Sequence, residues 1–402
     1  MSATRVTVLG IDAVLGGRLP AESARALSVA TLVVGAARHL EAVALPTGCR
    51  RIELGPLAPA LAQVLAHDGP AVVLASGDPG FFGIVRALRE HGIRPAVLPA
   101  LSSVQRAFAA IGRPWDDTVV VSAHGRDLRP AVNLCRARAA VAVLTAPGAG
   151  PAELGAGLDG WQRTLVVAED LGGVGQRLTT LTPAEASIRS WTDPNVVLCL
   201  RDTESVPPRG WLAGGEPWPP ADGWALGESE FHHRDGMITK MEVRAVVLAH
   251  LAPRPGRLVW DVGAGSGSVG VECARMGAAV LAVERDPAQC LRIVANAGAH
   301  GVDVRVVEGA LAEVMSTLPE PDAVFVGGGG TAAVQAAAAT SARRVVVALA
   351  ALDRVAQVRT ALGEQGFRVS GGQLSASRLV ELPDGGLRLV ATNPVLVLAG
   401  VR

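Results

Sequence analysis

The run Val259-Trp260-Asp261-Val262-Gly263-Ala264-Gly265-Ser266-Gly267-Ser268-Val269-Gly270 carries an apolar strand into a glycine loop and then into a helix. Gly265 to Gly270 alone satisfies G-x-G-x-x-G, the dinucleotide fingerprint, whose glycines let backbone approach a pyrophosphate. Two acids point elsewhere. Asp261 ends the strand directly ahead of the glycines. A carboxylate there repels a pyrophosphate but suits the cationic amino and sulfonium groups of S-adenosylmethionine. Glu284 ends the next strand, 21 positions after Gly263, where an acid can accept both ribose hydroxyls. Asp261, Gly263, Ala264, Gly265, Ser266, Gly267 and Glu284 are therefore cofactor-binding candidates. A structural strand-to-helix turn and nicotinamide binding are the alternatives.

Around this loop, strands and helices alternate. Leu258–Val262, 280–284, 304–308, Ala323–Val326 and Arg344–Leu349 read as strands with helices between them. Leu374 to Leu382 and Leu387 to Leu398 read as two long strands around the turn Pro383-Asp384-Gly385-Gly386. A parallel sheet that ends in an antiparallel hairpin fits a Rossmann-like class I methyltransferase better than a dehydrogenase. Upstream, 6–9, 31–35, 71–75, Val119–Ser122, 140–145, 165–168 and 196–200 read as further strands of a largely parallel sheet. The proline- and glycine-dense stretch around Pro207-Pro208 and Pro217-Trp218-Pro219-Pro220 reads as a linker. The expected division is 1–205, a linker at 206–224, and 225–402.

The balance of 402 residues with Lys+Arg 37 against Asp+Glu 37 argues against a protein that tracks nucleic acid, which needs a basic stripe. No apolar run reaches the ~18–20 residues of a membrane span, so no membrane partner is expected. Five scattered cysteines without a C-x-x-C pair read as reduced thiols in a cytoplasmic setting. His232-His233 point apart as neighbours and read as a solvated pair, so no metal is expected. Among 37 cations Lys240 is the single lysine, which suggests a site that the planar fork of Arg does not serve.

The segments Met237-Ile238-Thr239-Lys240-Met241-Glu242-Val243-Arg244-Ala245, 261–268, Pro321-Asp322-Ala323-Val324-Phe325-Val326-Gly327-Gly328 and Asn393-Pro394-Val395 closely resemble the C15-methylating, decarboxylating domain of cobalamin biosynthesis. Val33-Val34-Gly35 with Arg38-His39-Leu40, Ser76-Gly77-Asp78-Pro79 with Phe81-Phe82-Gly83, Leu101-Ser102-Ser103-Val104-Gln105 and Ser122-Ala123-His124-Gly125-Arg126 resemble a two-subdomain tetrapyrrole methylase of the C5-methylating type. In this order the segments resemble the fused precorrin-6Y C5,15-methyltransferase (decarboxylating) family. The family's first loop, usually Gly-x-Gly, stands here as Gly10-Ile11-Asp12, followed by Gly16-Gly17.

The resemblance implies methyl transfer from S-adenosylmethionine to C5 and C15 of precorrin-6Y, with loss of the C12 acetate carboxyl to give precorrin-8X. A homo-oligomer is expected. Gly10, Gly77, Asp78, Ser102 and Ser103 would line one cofactor pocket, with Gly309 and Ala310 against the adenine in the other. Thr239, Lys240, Glu242 and Arg244 fall within one and a half helical turns. Thr239 is expected to open the helix and bind the cofactor's carboxylate. Lys240 and Arg244, four apart, are expected to grip substrate carboxylates, with Glu242 beside them or salt-bridged to Arg244. Arg126 and Arg378 are expected as substrate ligands, and Gly328 as room for a flat ring. An RNA methyltransferase and a non-catalytic cofactor-binding scaffold remain the competing readings.

Overall fold

The computed structural model describes residues 5–11, 19–204, 206, 210–214 and 222–402. Asp12, Gly16-Gly17 and most of the proline-rich linker lie outside the described residues. Among the described residues, three sheets and a hairpin account for the strands.

The first sheet holds β1 (Val6–Ile11), β2 (Leu32–Gly35), β3 (Arg50–Glu53), β4 (Ala71–Ser76) and β5 (Ala96–Leu98), ordered β3-β2-β4-β1-β5 and parallel throughout. Its central strands are buried on both faces, which is why they read as continuous apolar runs. The second sheet holds β6 (Val119–Ser122), β7 (Ala140–Leu144), β8 (Thr164–Glu169), β9 (Arg177–Leu181) and β10 (Asn195–Leu200), ordered β6-β7-β10-β8-β9. Here the expectation of a largely parallel sheet fails: only β6 and β7 pair in parallel, and the other three pairings are antiparallel. Hydrophobic runs alone cannot report strand direction, because a strand buried on both faces looks the same either way.

The third sheet holds β11 (Leu258–Val262), β12 (Ala279–Glu284), β13 (Arg305–Glu308), β14 (Ala323–Val326), β15 (Arg344–Leu349), β16 (Arg368–Leu374) and, last in chain order, β19 (Val395–Val401). Its order is β13-β12-β11-β14-β15-β19-β16, with β19 antiparallel to both its neighbours. β17 (Ser377–Glu381) and β18 (Leu387–Ala391) form a separate two-stranded ribbon. The expected strand 374–382 is thus the shorter β17, the expected strand 387–398 is divided into β18 and β19, and β16 ahead of them is a further strand that the sequence reading lacks. The turn lies between β17 and β18 as expected, but breaks at Ser375-Ala376 and Thr392-Asn393-Pro394 hand the outer segments to the main sheet.

The two halves pack together. Trp161 joins the apolar core of the third sheet, beside Trp260 and Leu281. Arg163 donates to Asp303 at 2.6 Å and Arg201 donates to the same carboxylate at 2.9 Å. The Asn133 amide donates to the Gly256 carbonyl at 3.1 Å, and Arg305 donates to the Asp159 carbonyl at 3.1 Å. Arg129 pairs with Asp322 at 3.3 Å, and Gly256, Asp303 and Asp322 all lie just ahead of strands of the third sheet. The first half therefore docks on the edge where those strands begin.

Candidate active sites

In the second half, the loop after β11 turns through three left-handed glycines: Gly263 at φ 63°, Gly265 at φ 56° and Gly267 at φ 72°. Around Gly265 the space is open, so a Cβ there would meet nothing within 4 Å, whereas one on Gly263 would lie 2.6 Å from the Gly328 Cα. Two backbones touch at that point. Gly328 therefore serves first as the packing partner of the loop, and on this side the room expected for a flat ring is filled by Gly263.

Asp261 is 1% exposed. Its Oδ2 accepts from the Gly270 amide at 2.8 Å, which pins the start of the following helix, and its Oδ1 is buried without a partner. Burial pushes this carboxyl up to about 7, opposed by the Gly270 hydrogen bond and reinforced by Glu284. Glu284 accepts from the Gly265 amide at 2.9 Å and from the Arg285 and Asp286 amides at 2.8 and 3.0 Å. It ties the glycine loop to the end of β12. The Gly309 amide donates to the Glu284 carbonyl at 2.9 Å, and Ala310 caps the short helix after β13. Ser266 is buried, and its carbonyl accepts from Asn296 at 2.7 Å. These residues converge at the edge where β11, β12 and β13 end.

The expected cationic face on the helix ahead of β11 does not form. That helix, Met241–Leu251, has Lys240 as its N-cap, so Thr239 lies one residue outside it. Its first amide, at Met241, donates to Glu228 Oε1 at 2.8 Å. Arg244 is fully buried with Glu272, which is also fully buried: Nε donates to Oε1 at 2.8 Å. Arg244 also donates to the Thr239 carbonyl at 2.7 Å and to the Leu226 carbonyl, and its guanidinium stacks over Phe231. It holds the chain entering the helix and presents nothing to a substrate. Its acid partner is Glu272, not Glu242.

Glu242 has a different partner. Arg378, on β17, grips Glu228 and Glu242 together, with four donated bonds of 2.6–3.1 Å. The bonds from Arg378 hold the Glu228 carboxyl down at about 2 and lower that of Glu242, while both acids raise Arg378. Arg378 is thus neutralised within the protein and is not a free carboxylate ligand. Lys240 differs: its Nζ donates to the Gly236 carbonyl at 3.1 Å, a neutral partner.

In the first half, β1, β4 and the approach to the helix Ser103–Ile111 meet at their ends. The Gly77 amide donates to Ile11 and the Ala100 amide donates to Gly77, both at 3.1 Å. A Cβ on Gly10 would fall 2.1 Å from the Gly77 oxygen, so only glycine fits. Ser102 caps the helix in a reciprocal box with Gln105, and Ser103 is its first residue. Asp78 accepts from the Gly80 amide at 2.8 Å and shapes the turn. Arg126 donates to the Ser122 carbonyl at 3.3 Å and lies over the Phe82 ring, 5.7 Å from its centroid. That contact brings the loop after β4 against the loop after β6, across the two sheets. Glu272, Glu228, His39 and Ser76 are not among the site residues expected from the sequence, although His39 and Ser76 stand in the segments that carry the tetrapyrrole-methylase resemblance.

Two family models match the chain: tetrapyrrole (corrin/porphyrin) methylases over residues 15–187, and the precorrin methyltransferase domain over residues 230–381. A Sinorhizobium protein named precorrin-6Y C(5,15)-methyltransferase [decarboxylating] is 40% identical over 337 residues, covering 80% of this chain and 78% of that one. A Mycobacterium tuberculosis protein of the same name is 33% identical over 343 residues, covering 80% of each. A crystal structure titled precorrin-6y C5,15-methyltransferase from Geobacter metallireducens is 27% identical, covering 44% of this chain and 97% of that one, with a TM-score of 0.42. The chain belongs to the precorrin-6Y C5,15-methyltransferase (decarboxylating) family and is a methyltransferase with decarboxylase activity.

Proposed function

We propose that this chain transfers methyl groups from S-adenosylmethionine to C5 and C15 of precorrin-6Y and removes the C12 acetate carboxyl, giving precorrin-8X. The observation that carries the proposal is a duplicated device: two different sheets of one chain each end in close-packed glycine backbone, at Gly10–Gly77 and at Gly263–Gly328, and each would floor a cofactor crevice. When bound, S-adenosylmethionine supplies an electrophilic methyl group. The second crevice fits it on two counts. Gly265 faces open space, and Asp261 keeps a buried, unpartnered oxygen that a cation nearby would satisfy. Asp261, Gly263, Ala264, Gly265, Ser266, Gly267, Glu284, Gly309 and Ala310 would hold it there; Gly10, Gly77, Asp78, Ser102 and Ser103 would hold it in the first crevice.

Substrate carboxylates need cations that the protein has not already neutralised. Arg244 and Arg378 are excluded by their carboxylate partners, whereas Lys240 and Arg126 donate to neutral backbone carbonyls. Lys240 is thus assigned to the C15 and decarboxylation site and Arg126 to the C5 site. Orienting the two reactants supplies on the order of 7–11 kcal/mol of the barrier, so the chemistry asks for position more than for a triad. In the decarboxylation the electron pair left by carbon dioxide enters the conjugated macrocycle, and a proton then taken up at the former acetate methylene carbon completes the methyl group.

The reading includes a cytoplasmic homo-oligomer acting on a small molecule, without nucleic acid. Leu379, Leu387 and Leu389, all about two-thirds exposed on the β17–β18 ribbon, support an oligomer contact. No helix among the described residues is long and apolar enough to cross a membrane. Mass spectrometry of precorrin-6Y incubated with the protein and S-adenosylmethionine tests the proposal. Two added methyl groups and one lost carbon dioxide are expected; cofactor binding without any product would overturn it.

A further inference from the structure

His39 is nine-tenths buried behind the end of β4, with its Nδ1 buried and unpartnered. Its Nε2 lies 2.8 Å from the hydroxyl of Ser76, which is exposed at the last position of β4. Arg38 donates to that same hydroxyl oxygen at 3.2 Å. Ser76 immediately precedes Gly77, the residue wedged against Gly10 in the first crevice. We propose that Ser76 and His39 are the proton acceptor of the C5 methyl transfer, with Ser76 the catalytic residue and His39 acting through it. The assignment rests on the functional reading above.

The step balances. The carbon–carbon bond forms as the methyl–sulfur bond breaks, and the sulfonium charge is lost to a neutral thioether. C5 then carries both its hydrogen and the new methyl group. That hydrogen leaves as a proton to Ser76 Oγ, and its bonding pair restores the conjugation of the macrocycle. The Ser76 hydroxyl proton passes to His39 Nε2, while Arg38 occupies a lone pair of the oxygen and holds it in place.

The burial explains why the base stands behind a serine. An exposed imidazole beside an activated methyl group would itself be methylated; His39 is screened by the hydroxyl it serves. Burial, followed by the charge of Arg38, lowers the imidazole to about 4, against the Leu74 backbone, which raises it. The ring is therefore uncharged and ready to accept at neutral pH. A weak base suffices because the proton comes from a cationic carbon adduct.

Ser76→Ala, at an exposed position, and His39→Asn test the pair. Each is expected to lower kcat for C5 methylation about 100-fold, with the Kd for S-adenosylmethionine unchanged by calorimetry and C15 methylation retained. With precorrin-6Y deuterated at C5, a primary isotope effect absent from the wild type is expected in Ser76→Ala, because proton removal has become slow. In the free protein, ring-nitrogen NMR at pH 7 is expected to show a neutral His39 whose Nε2 is the acceptor, with that resonance moving in Ser76→Ala. A protonated Nε2, an unchanged C5 rate, or a rate loss explained by weaker cofactor binding without an isotope effect would each overturn the assignment. A wild type that adds no methyl group to the macrocycle would overturn the functional reading itself; one that adds both, with Ser76→Ala unaffected, would overturn this assignment alone.

Discussion

Replacing Arg244 with methionine separates a structural from a substrate-binding role at a position whose sequence context suggests the latter. In the folded protein Arg244 and Glu272 are both fully buried. The substitution removes a charge-assisted bond to Glu272, two bonds to the Thr239 and Leu226 carbonyls, and the stack on Phe231. Glu272 keeps only the Ala225 and Leu226 amides as donors, at 2.6 and 2.8 Å. Breaking one side of a buried pair costs about 3–5 kcal/mol. For a unit of this size that corresponds to a fall of about 6–20 °C in the melting of the second half. Denaturant unfolding followed by tryptophan fluorescence reads the change, since Trp260 is buried in the affected sheet. The double variant Arg244→Met with Glu272→Met is expected to regain part of the loss, because no buried charge is stranded. Activity per folded molecule is expected to stay near wild type. An Arg244→Met protein as stable as the wild type, with KM for the tetrapyrrole raised tenfold, would refute the buried-pair reading and return Arg244 to the substrate.

Arg378→Ala removes the main cause of the low Glu228 carboxyl. A depressed folded value stabilises above the ordinary value of 4.5 and is lost as pH falls toward about 2; thermal unfolding across that window is expected to show a steeper acid loss in the wild type than in the variant. Gly10→Ala forces a Cβ onto the Gly77 oxygen, a backbone atom that cannot step aside. A stability loss of about 1–3 kcal/mol is expected by calorimetry, with C5 methylation abolished and C15 methylation retained. Gly265→Ala meets no neighbour but must hold φ 56°; a cost of about 1–2 kcal/mol and weaker S-adenosylmethionine binding at the second crevice are expected by calorimetric titration.

What was legible in the sequence is what is local. The strand–glycine–helix run at 258–270 and Glu284 at the end of the next strand each depend on residues within a few positions or one strand spacing of one another. The pairings that decide charge are not local. Arg244 meets Glu272 across 28 residues, and Arg378 meets Glu242 and Glu228 across 136 and 150. Helical spacing instead pointed to Lys240 and Glu242 as neighbours of Arg244. Glu272 is hidden for a further reason: an acid in an otherwise small, apolar helix reads as the solvent-facing side, yet Ser268–Arg275 is buried almost all round. Four strands lack a clear apolar run: β5 is three residues long, β3 (Arg-Arg-Ile-Glu) and β9 (Arg-Leu-Thr-Thr-Leu) are half polar or more, and β16 carries Ser370-Gly371-Gly372 at its centre. His39 looked like one residue of a motif; its meaning comes from Ser76, which only the β2–β4 pairing brings close.

The docking of the two halves has a kinetic consequence. The first half contacts the third sheet where its strands begin, at Gly256, Asp303 and Asp322, whereas the glycine loop lies where they end. The five residues of β11 place about 16 Å of sheet between those edges. The second crevice therefore does not open onto the first half, and a broad macrocycle methylated at one site has to leave before it reaches the other. Two damaged chains are then expected to repair each other. Gly10→Ala is expected to lack the C5 step and Asp261→Ala the C15 step, and an equimolar mixture is expected to form the doubly methylated, decarboxylated product by mass spectrometry. Its rate is expected to rise with total protein concentration and to fall when an excess of a chain damaged at both sites traps the intermediate. A mixture that accumulates only singly methylated material, while the wild type completes both steps under the same conditions, would mean that the intermediate is passed within one chain by a route that leaves solvent out.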